Sequence, residues 1–328
     1  MKEPLSELAL IAVGGTITTV SSNSLDLAAY HETGVKLGAG DLLGRFPEVA
    51  GVAVVEPVEF GKGSSTDLTE NDWIGLAPLV EGLLERKSGV VILHGTNTIE
   101  ETAYFLDLCL DSDRPVVLVG AMRPISAISA DAGLNLVRAL QVAASPRAVG
   151  AGVVVMVGER IYPARDVTKT STWSVDAFRG GNLGPIGFVA PDGEVVIDRT
   201  ARRSPTLPPP GRGEFPRVDI VMSHVGADGT LIDAAVAAGA RGIVSAGAGA
   251  GRITKSEGAA LQRAVEAGVV VCLSSRVESA WVAPTPSTVA SGFVAGRGLP
   301  PWKARILLAM ALTRTDAATE IQAIFDQS

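Results

Sequence analysis

Short apolar segments alternate with segments of helical spacing along the first half of this 328-residue chain, and this alternation most restricts its fold. The run Leu8–Val13 ends at two glycines, as a buried strand entering a tight turn does. The stretch 70–85 instead places Trp73 and other apolar residues on one helical face. By the same criteria we predict strands at 52–58, 90–93, 115–119 and 152–157 and helices over 98–108 and 131–143. This alternation of strands and helices predicts an α/β fold whose larger N-terminal sheet is mostly parallel and flanked by helices.

The stretch 198–217 differs in composition from the segments before it, because it contains five prolines and several arginines. Such a run cannot continue a helix or a central strand. We therefore interpret it as a linker between an N-terminal domain (1–197) and a smaller C-terminal α/β domain (218–328). In the second domain we predict strands at 218–223, 242–246 and 269–273 and helices at 232–238, 256–266 and 301–311.

The composition excludes several classes of partner and cofactor. A net charge of −7 argues against non-specific binding to nucleic acid, which depends on a basic surface. No apolar stretch reaches the ~18 residues that a membrane span needs, and we interpret the first apolar run as a strand rather than a signal peptide. Cys109 and Cys272 are far apart, and none of the three histidines has ligand spacing. We therefore expect a cytoplasmic protein with two buried thiols and no metal or other cofactor.

Hydroxyl side chains are concentrated in the segments that follow the predicted strands, where open parallel sheets bind ligands. Thr16 follows a glycine pair, and Thr96 lies just before a helix expected to begin at Thr98 in a capping box with Glu101. Lys169 stands in a further hydroxyl-rich segment. A lysine whose pKa is depressed by burial can take the proton of such a hydroxyl. The residues thus indicate acyl transfer to water by threonine, although serine and threonine more commonly cap turns and helices.

Four motifs together are specific. They are GGTI (14–17), HGTNTIEETA (94–103), GAMRP (120–124) and RDVTKT (165–170). In order and spacing they resemble the bacterial-type L-asparaginase/glutaminase family, and the likeness extends from about residue 8 to 326. The resemblance implies a two-domain α/β amidohydrolase that converts L-asparagine to L-aspartate and ammonia. It also implies a homo-oligomer, a dimer or tetramer, with sites formed between protomers.

The resemblance assigns catalytic roles to three residues. Thr16 matches the primary nucleophile of the family, Thr96 its second threonine, and Lys169 the lysine that activates that threonine.

It also implies substrate-binding roles. Ser65 falls where the family holds the substrate's α-carboxylate, and Thr66 stands where many members have a glutamine. Gly15 belongs to the backbone around the nucleophile, and the carbonyl of Ala121 is expected to receive the side-chain amide.

This sequence departs from the family pattern at three places. Asn97 replaces an aspartate that pairs with the substrate's α-ammonium, so the counter-charge is lost and the pKa of Lys169 is expected to fall. The tyrosine expected soon after GGTI is missing, and Tyr30 is the candidate to replace it. Arg252 stands where a neighbouring subunit normally supplies an acidic or amide side chain, and it is a candidate to hold a substrate carboxylate.

Asn97 leaves two alternatives to the hydrolysis of asparagine open. One is an amidase for a related substrate without a charged α-amine, such as a succinamate-like acid amide. Another is an inactive protein that binds asparagine or aspartate, and an exchange made to inactivate the site would leave the same residue. The presence of Thr16, Thr96 and Lys169 together argues against a mere binder, which needs neither nucleophile nor base. His94 is expected to be structural.

Overall fold

A computed structural model of the chain describes residues 4–328, so the first three residues of the predicted N-terminal domain lie outside the described range. The chain forms two compact units, the first ending at Arg203 and the second running from Ser204 to Ser328. The junction falls within 198–217, and that stretch contains no helix or strand. The domain limits of 197 and 218 stay predictions.

The first unit is built on one large sheet. Its strands, with four short ones outside that sheet, are β1 (Glu7–Gly14), β2 (Thr19–Val20), β3 (Val35–Lys36), β4 (Val54–Gly63), β5 (Gly89–Leu93), β6 (Val116–Val119), β7 (Val153–Val157), β8 (Arg160–Pro163), β9 (Thr168–Lys169), β10 (Phe178–Arg179), β11 (Gly187–Val189) and β12 (Val195–Ile197). Its helices are α1 (Tyr30–Thr33), α2 (Ala39–Arg45), α3 (Glu70–Leu84), α4 (Ile99–Cys109) and α5 (Ala132–Ala144).

The eight strands of the large sheet lie in the order β12-β11-β8-β7-β6-β5-β1-β4. Neighbours from β4 to β7 are parallel, whereas β8, β11 and β12 pair antiparallel. The prediction of a mostly parallel sheet is therefore confirmed. Every residue of β5, β6 and β7 is buried, as expected for strands covered on both faces. This burial explains why these strands are continuous apolar runs in the sequence.

The start of α4 differs from the prediction. Thr98 is the residue that precedes the helix, but its side chain forms no capping hydrogen bond. Its hydroxyl donates instead to the carbonyl of Ser65, at 2.8 Å. The predicted capping box with Glu101 is therefore wrong, because the Thr98 side chain is directed to the distant carbonyl of Ser65 and its oxygen accepts no N–H of the first turn of α4.

The second unit has a smaller parallel sheet in the order β13-β14-β15-β16. Its strands are β13 (Val218–Met222), β14 (Gly242–Gly247), β15 (Val270–Ser275) and β16 (Val294–Ala295). Its helices are α6 (Thr230–Ala237), α7 (Lys255–Glu266), α8 (Pro286–Ala290), α9 (Pro301–Leu312) and α10 (Ala318–Gln327). The predicted smaller α/β domain is thus present, with α8 and α10 as additional helices.

Among residues 4–328, no helix combines the length and apolar character that crossing a membrane would require. Both cysteines are buried and free, as predicted.

Candidate active site

The segments that follow β1, β4, β5 and β6 meet at one edge of the large sheet. The strand register shows why, since Ala12 is level with Leu93, and Leu93 is level with Val119. A cavity of about 620 Å³ lies at this edge. The four motif segments that the sequence singled out each contribute residues to its lining.

Two glycines allow these segments to approach each other closely. Gly15 has a φ of +97°, and a Cβ atom at this position would collide with the backbone of Gly95. A Cβ atom at Gly95 would in turn lie 2.6 Å from the hydroxyl of Ser65. Only residues without a side chain permit both approaches. The two backbone segments that carry Thr16 and Thr96 are therefore held close to each other.

Thr16 lies at the wall of the cavity, in a 3-10 turn that begins directly after Gly15. Its Oγ1 is 2.9 Å from the hydroxyl oxygen of Tyr30, in the first turn of α1. Either hydroxyl can donate in this pair. The two residues thus form a hydroxyl pair through which a proton can pass.

A second pair joins Thr96 to Lys169. The ammonium of Lys169 donates to Thr96 Oγ1 and to Asn97 Oδ1, both at 2.8 Å. Burial lowers the pKa of Lys169, and the nearby carboxylate of Glu100 opposes that shift. Glu100 also accepts the backbone N–H of Lys169 at 3.2 Å and so helps to position it. A lysine with a lowered pKa next to a threonine hydroxyl is suited to take a proton from it.

Ser65 and Thr66 line the same cavity. Ser65 is buried in a short 3-10 turn, where Thr98 anchors its carbonyl. Thr66 is exposed, and its hydroxyl lies 2.8 Å from that of Ser64. Both predicted binding residues therefore lie at the same cavity as Thr16 and Thr96.

The segment after β6 contributes two residues to the cavity that were not predicted to line it. Ala121 is buried and is not among the described residues that line the cavity, whereas Met122 and Arg123 do line it. The role predicted for the carbonyl of Ala121 stays a prediction. Arg123 was missed, although it belongs to the GAMRP motif, because residue type alone does not show which way a loop residue points.

Other residues of the cavity lie outside the recognised motifs. Lys36 and His31 also line it, and so does Trp173, which is 82% exposed and lies on the segment after Lys169. Nothing in the local sequence distinguishes these residues from ordinary surface residues.

Arg252 belongs to the second unit. Its backbone pairs with that of Ala248 at 2.7 Å, and its side chain is exposed. Its predicted contact with a substrate carboxylate stays a prediction.

His94 is completely buried beside the site. Its Nδ1–H donates to the carbonyl of Gly95 at 2.9 Å, which leaves Nε2 unprotonated and without a partner among the described residues. Burial lowers the pKa of His94 to about 4. His94 is therefore neutral at physiological pH and orients the backbone ahead of Thr96. The described residues contain no group of three or more potential metal ligands.

Known proteins resemble this chain over nearly its whole length. Residues 7–203 match the family model described as Asparaginase, N-terminal, and residues 217–325 match the Glutaminase/Asparaginase C-terminal domain. L-asparaginase 2 of Bacillus subtilis (strain 168) is 37% identical over 330 residues, which cover 99% of this chain and 88% of the relative. L-asparaginase 2 of Escherichia coli (strain K12) is 38% identical over 335 residues, covering 98% and 93% of the two chains. A crystal structure of a probable cytoplasmic L-asparaginase from Campylobacter jejuni has a TM-score of 0.92 at 36% identity and covers 98% of this chain and 100% of its own.

Proposed function

Because this chain belongs to the asparaginase family over both of its units, we propose that it hydrolyses the side-chain amide of L-asparagine to L-aspartate and ammonia. The observation that carries the proposal is the presence of two activated hydroxyls in one cavity. Thr16 is paired with Tyr30, and Thr96 is paired with the half-buried Lys169. A protein that only bound asparagine would need neither pair.

In the proposed reaction Thr16 is the nucleophile. Its Oγ1 attacks the amide carbon, its proton passes to the oxygen of Tyr30, and the proton of Tyr30 moves to the amide nitrogen. The C–N bond then breaks, ammonia leaves, and the acid remains as an ester on Thr16. Backbone N–H groups around Gly15 and Gly95 are suited to stabilise the oxyanion of the intermediate.

Water completes the cycle in the second half. Thr96 Oγ1 takes a proton from the attacking water and passes its own proton to the neutral amine of Lys169. The ester C–O bond breaks, and the Thr16 oxygen regains the proton held on Lys169. The product carboxyl group then ionises. The lowered pKa of Lys169 supports this role, because it raises the fraction of neutral amine at a given pH.

The first test is ammonia release from L-asparagine by the unchanged chain and by Thr16→Val and Lys169→Met variants. We expect each variant to lower kcat by at least about 100-fold, because each removes a group that transfers a proton or forms the ester. Thr206→Val, at an exposed position in the second unit, is the matched control and is expected to change nothing. Thr16→Val with more than a tenth of the original kcat would exclude Thr16 as the nucleophile.

Thr96 is the second candidate for the nucleophile, since it is the threonine that contacts the lysine. Acid quenching of the Lys169→Met variant with asparagine, followed by peptide mass analysis, separates the two. An aspartyl adduct on the peptide with Thr16 supports the proposal, and an adduct on the peptide with Thr96 transfers the role. A rise in Tm with L-aspartate but no ammonia release would identify a binding protein.

We also propose that the protein acts as a homo-oligomer, a dimer or tetramer, in the cytoplasm. The support for oligomerisation is family membership, and the support for location is the similarity to a probable cytoplasmic L-asparaginase. A relative in Haemophilus influenzae is described as a probable periplasmic L-asparaginase, so fractionation of the source cells is the relevant measurement for location. Light scattering on the purified chain measures the oligomeric state.

A further inference from the structure

We propose that this active site does not select for the α-ammonium group of asparagine and accepts equally well acid amides whose C2 carries hydrogen or hydroxyl. The substrate class is the monoamides of four-carbon dicarboxylic acids, of which succinamate is the simplest. The inference rests on the proposed amide hydrolysis and concerns which amide the same cavity takes.

The charges that line the cavity carry the first part of the argument. None of the described residues in its lining is an aspartate or a glutamate, whereas Lys36 and Arg123 are cationic, as is Lys169 in its protonated form. None of these three cations forms an ion pair with a described residue. A ligand carboxylate therefore finds complementary charge in this cavity. Among the described residues of this lining, a ligand ammonium meets only neutral dipoles and like charge.

The orientation of Asn97 carries the second part. A lysine ammonium can only donate, so the atom of Asn97 that lies 2.8 Å from Lys169 Nζ is the carbonyl oxygen. The amide nitrogen of Asn97, which can only donate, is then the group left for a ligand. A hydroxyl or water oxygen on the ligand can accept from it. An ammonium cannot.

An ammonium bound to the same Oδ1 would also face Lys169. Two cations on one neutral oxygen lie within the roughly 4–6 Å at which like charges disfavour each other. A carboxylate at position 97 would offset this repulsion, but a carboxamide does not. Hydrogen or hydroxyl at C2 brings no such cost, so removing the ammonium from the substrate loses little in this site.

The experiment compares kcat/KM for L-asparagine and succinamate, which differ only in the α-ammonium. In the unchanged chain we expect the two values to agree within about 10-fold. Asn97→Asp supplies the missing counter-charge and is expected to shift their ratio toward asparagine by about 10- to 100-fold, as the gain of a charge-assisted hydrogen bond implies. Asn182→Asp makes the same exchange at an exposed position outside the cavity and is expected to leave the ratio unchanged.

Two results would overturn the inference. One is a preference for asparagine above about 10-fold in the unchanged chain, and the other is a shift below about 10-fold in the Asn97→Asp variant. If neither amide is hydrolysed, the proposed function fails, and calorimetric binding of the products still decides the inference. Succinate binding at least as tightly as L-aspartate supports it, and tighter binding of L-aspartate contradicts it.

Discussion

His94 shows how position within the site can remove a residue from the chemistry. His94 lies two residues before Thr96, and imidazole is a common catalytic base. Its ring is completely buried, however, and its Nδ1–H donates to the carbonyl of Gly95. Burial keeps the ring neutral by lowering its pKa to about 4. The half-buried Lys169 lines the cavity and contacts the hydroxyl of Thr96, which is the geometry that the proposed proton transfer needs.

The lowered pKa of His94 predicts a specific pH dependence of stability. The unfolded chain binds a proton at His94 below about pH 6.5, whereas the folded chain does so only below about pH 4. The contribution of the neutral ring to stability is therefore complete above pH 6.5 and is lost progressively as the pH falls to 4. Between pH 7 and pH 5 this loss amounts to about 2 kcal/mol.

Urea unfolding of the unchanged chain and of His94→Asn at these two pH values measures the effect. Asparagine keeps an amide N–H for the carbonyl of Gly95 but does not titrate. We expect the free energy of unfolding of the variant to fall by about 2 kcal/mol less than that of the unchanged chain. Equal losses in the two proteins would contradict the assignment.

Asp131 connects the segment after β6 to the helix α5 that follows it. Its two carboxylate oxygens accept the backbone N–H groups of Met122 and Arg123 at 2.9 and 3.0 Å. Asn135, one turn into α5, donates to Asp131 at 3.2 Å and to the carbonyl of Gly120 at 3.0 Å. The helix thus holds the loop whose residues line the cavity. Met122 and Arg123 belong to the GAMRP motif, but only the hydrogen bonds show that Asp131 and Asn135 position it.

Replacing Asp131 by alanine is expected to loosen that loop. Loss of hydrogen bonds to a charged acceptor should lower the free energy of unfolding by about 2 kcal/mol and raise KM by about 10-fold, with a smaller effect on kcat. Steady-state kinetics and urea unfolding measure these changes. Asp192→Ala, which removes a similar bond to Glu194 N–H in an exposed turn, is the matched control and should leave KM unchanged. A kcat loss without a KM change would contradict a positioning role.

The two units of the molecule are joined through an irregular segment. Within it, residues 211–214 are all exposed, and Arg212 is followed by glycine rather than proline. Trypsin cleaves after arginine in exposed, irregular backbone in preference to helices and strands. The predicted linker should therefore contain the most sensitive bond of the chain.

Limited trypsin digestion of the folded protein is expected to cut first after Arg212 and give fragments that end and begin at that position. Mass analysis of the fragments identifies the bond. Arg212→Gln should slow the first cut without opening new sites in either sheet. First cleavage within the strands or helices of either unit would contradict the prediction.

The sequence by itself determined the main elements of this protein. Strands buried on both faces must be continuous apolar runs, and helices that cover them must have apolar residues every three to four positions. For this reason β1, β5, β6, β7 and α3 were predictable. The short antiparallel strands β8, β11 and β12 were not, because three or four residues are too few to show a period. Gly15, Thr16 and Thr96 stood out because they follow predicted strands within the GGTI and HGTNTIEETA motifs.

Tertiary structure alone decided how the candidate site works. Thr96 and Lys169 are 73 positions apart, and their contact depends on where two separate segments leave the sheet. Tyr30 reaches Thr16 only because the chain between them returns to the cavity, which Leu27, Ala28 and Tyr30 line. The neutral charge of Asn97 is visible in the sequence, but its bond to Lys169 is not, since the direction of an amide is set by the donor it meets in space. That direction, together with a lining that has no carboxylate among its described residues, determines the substrate selectivity proposed for this site.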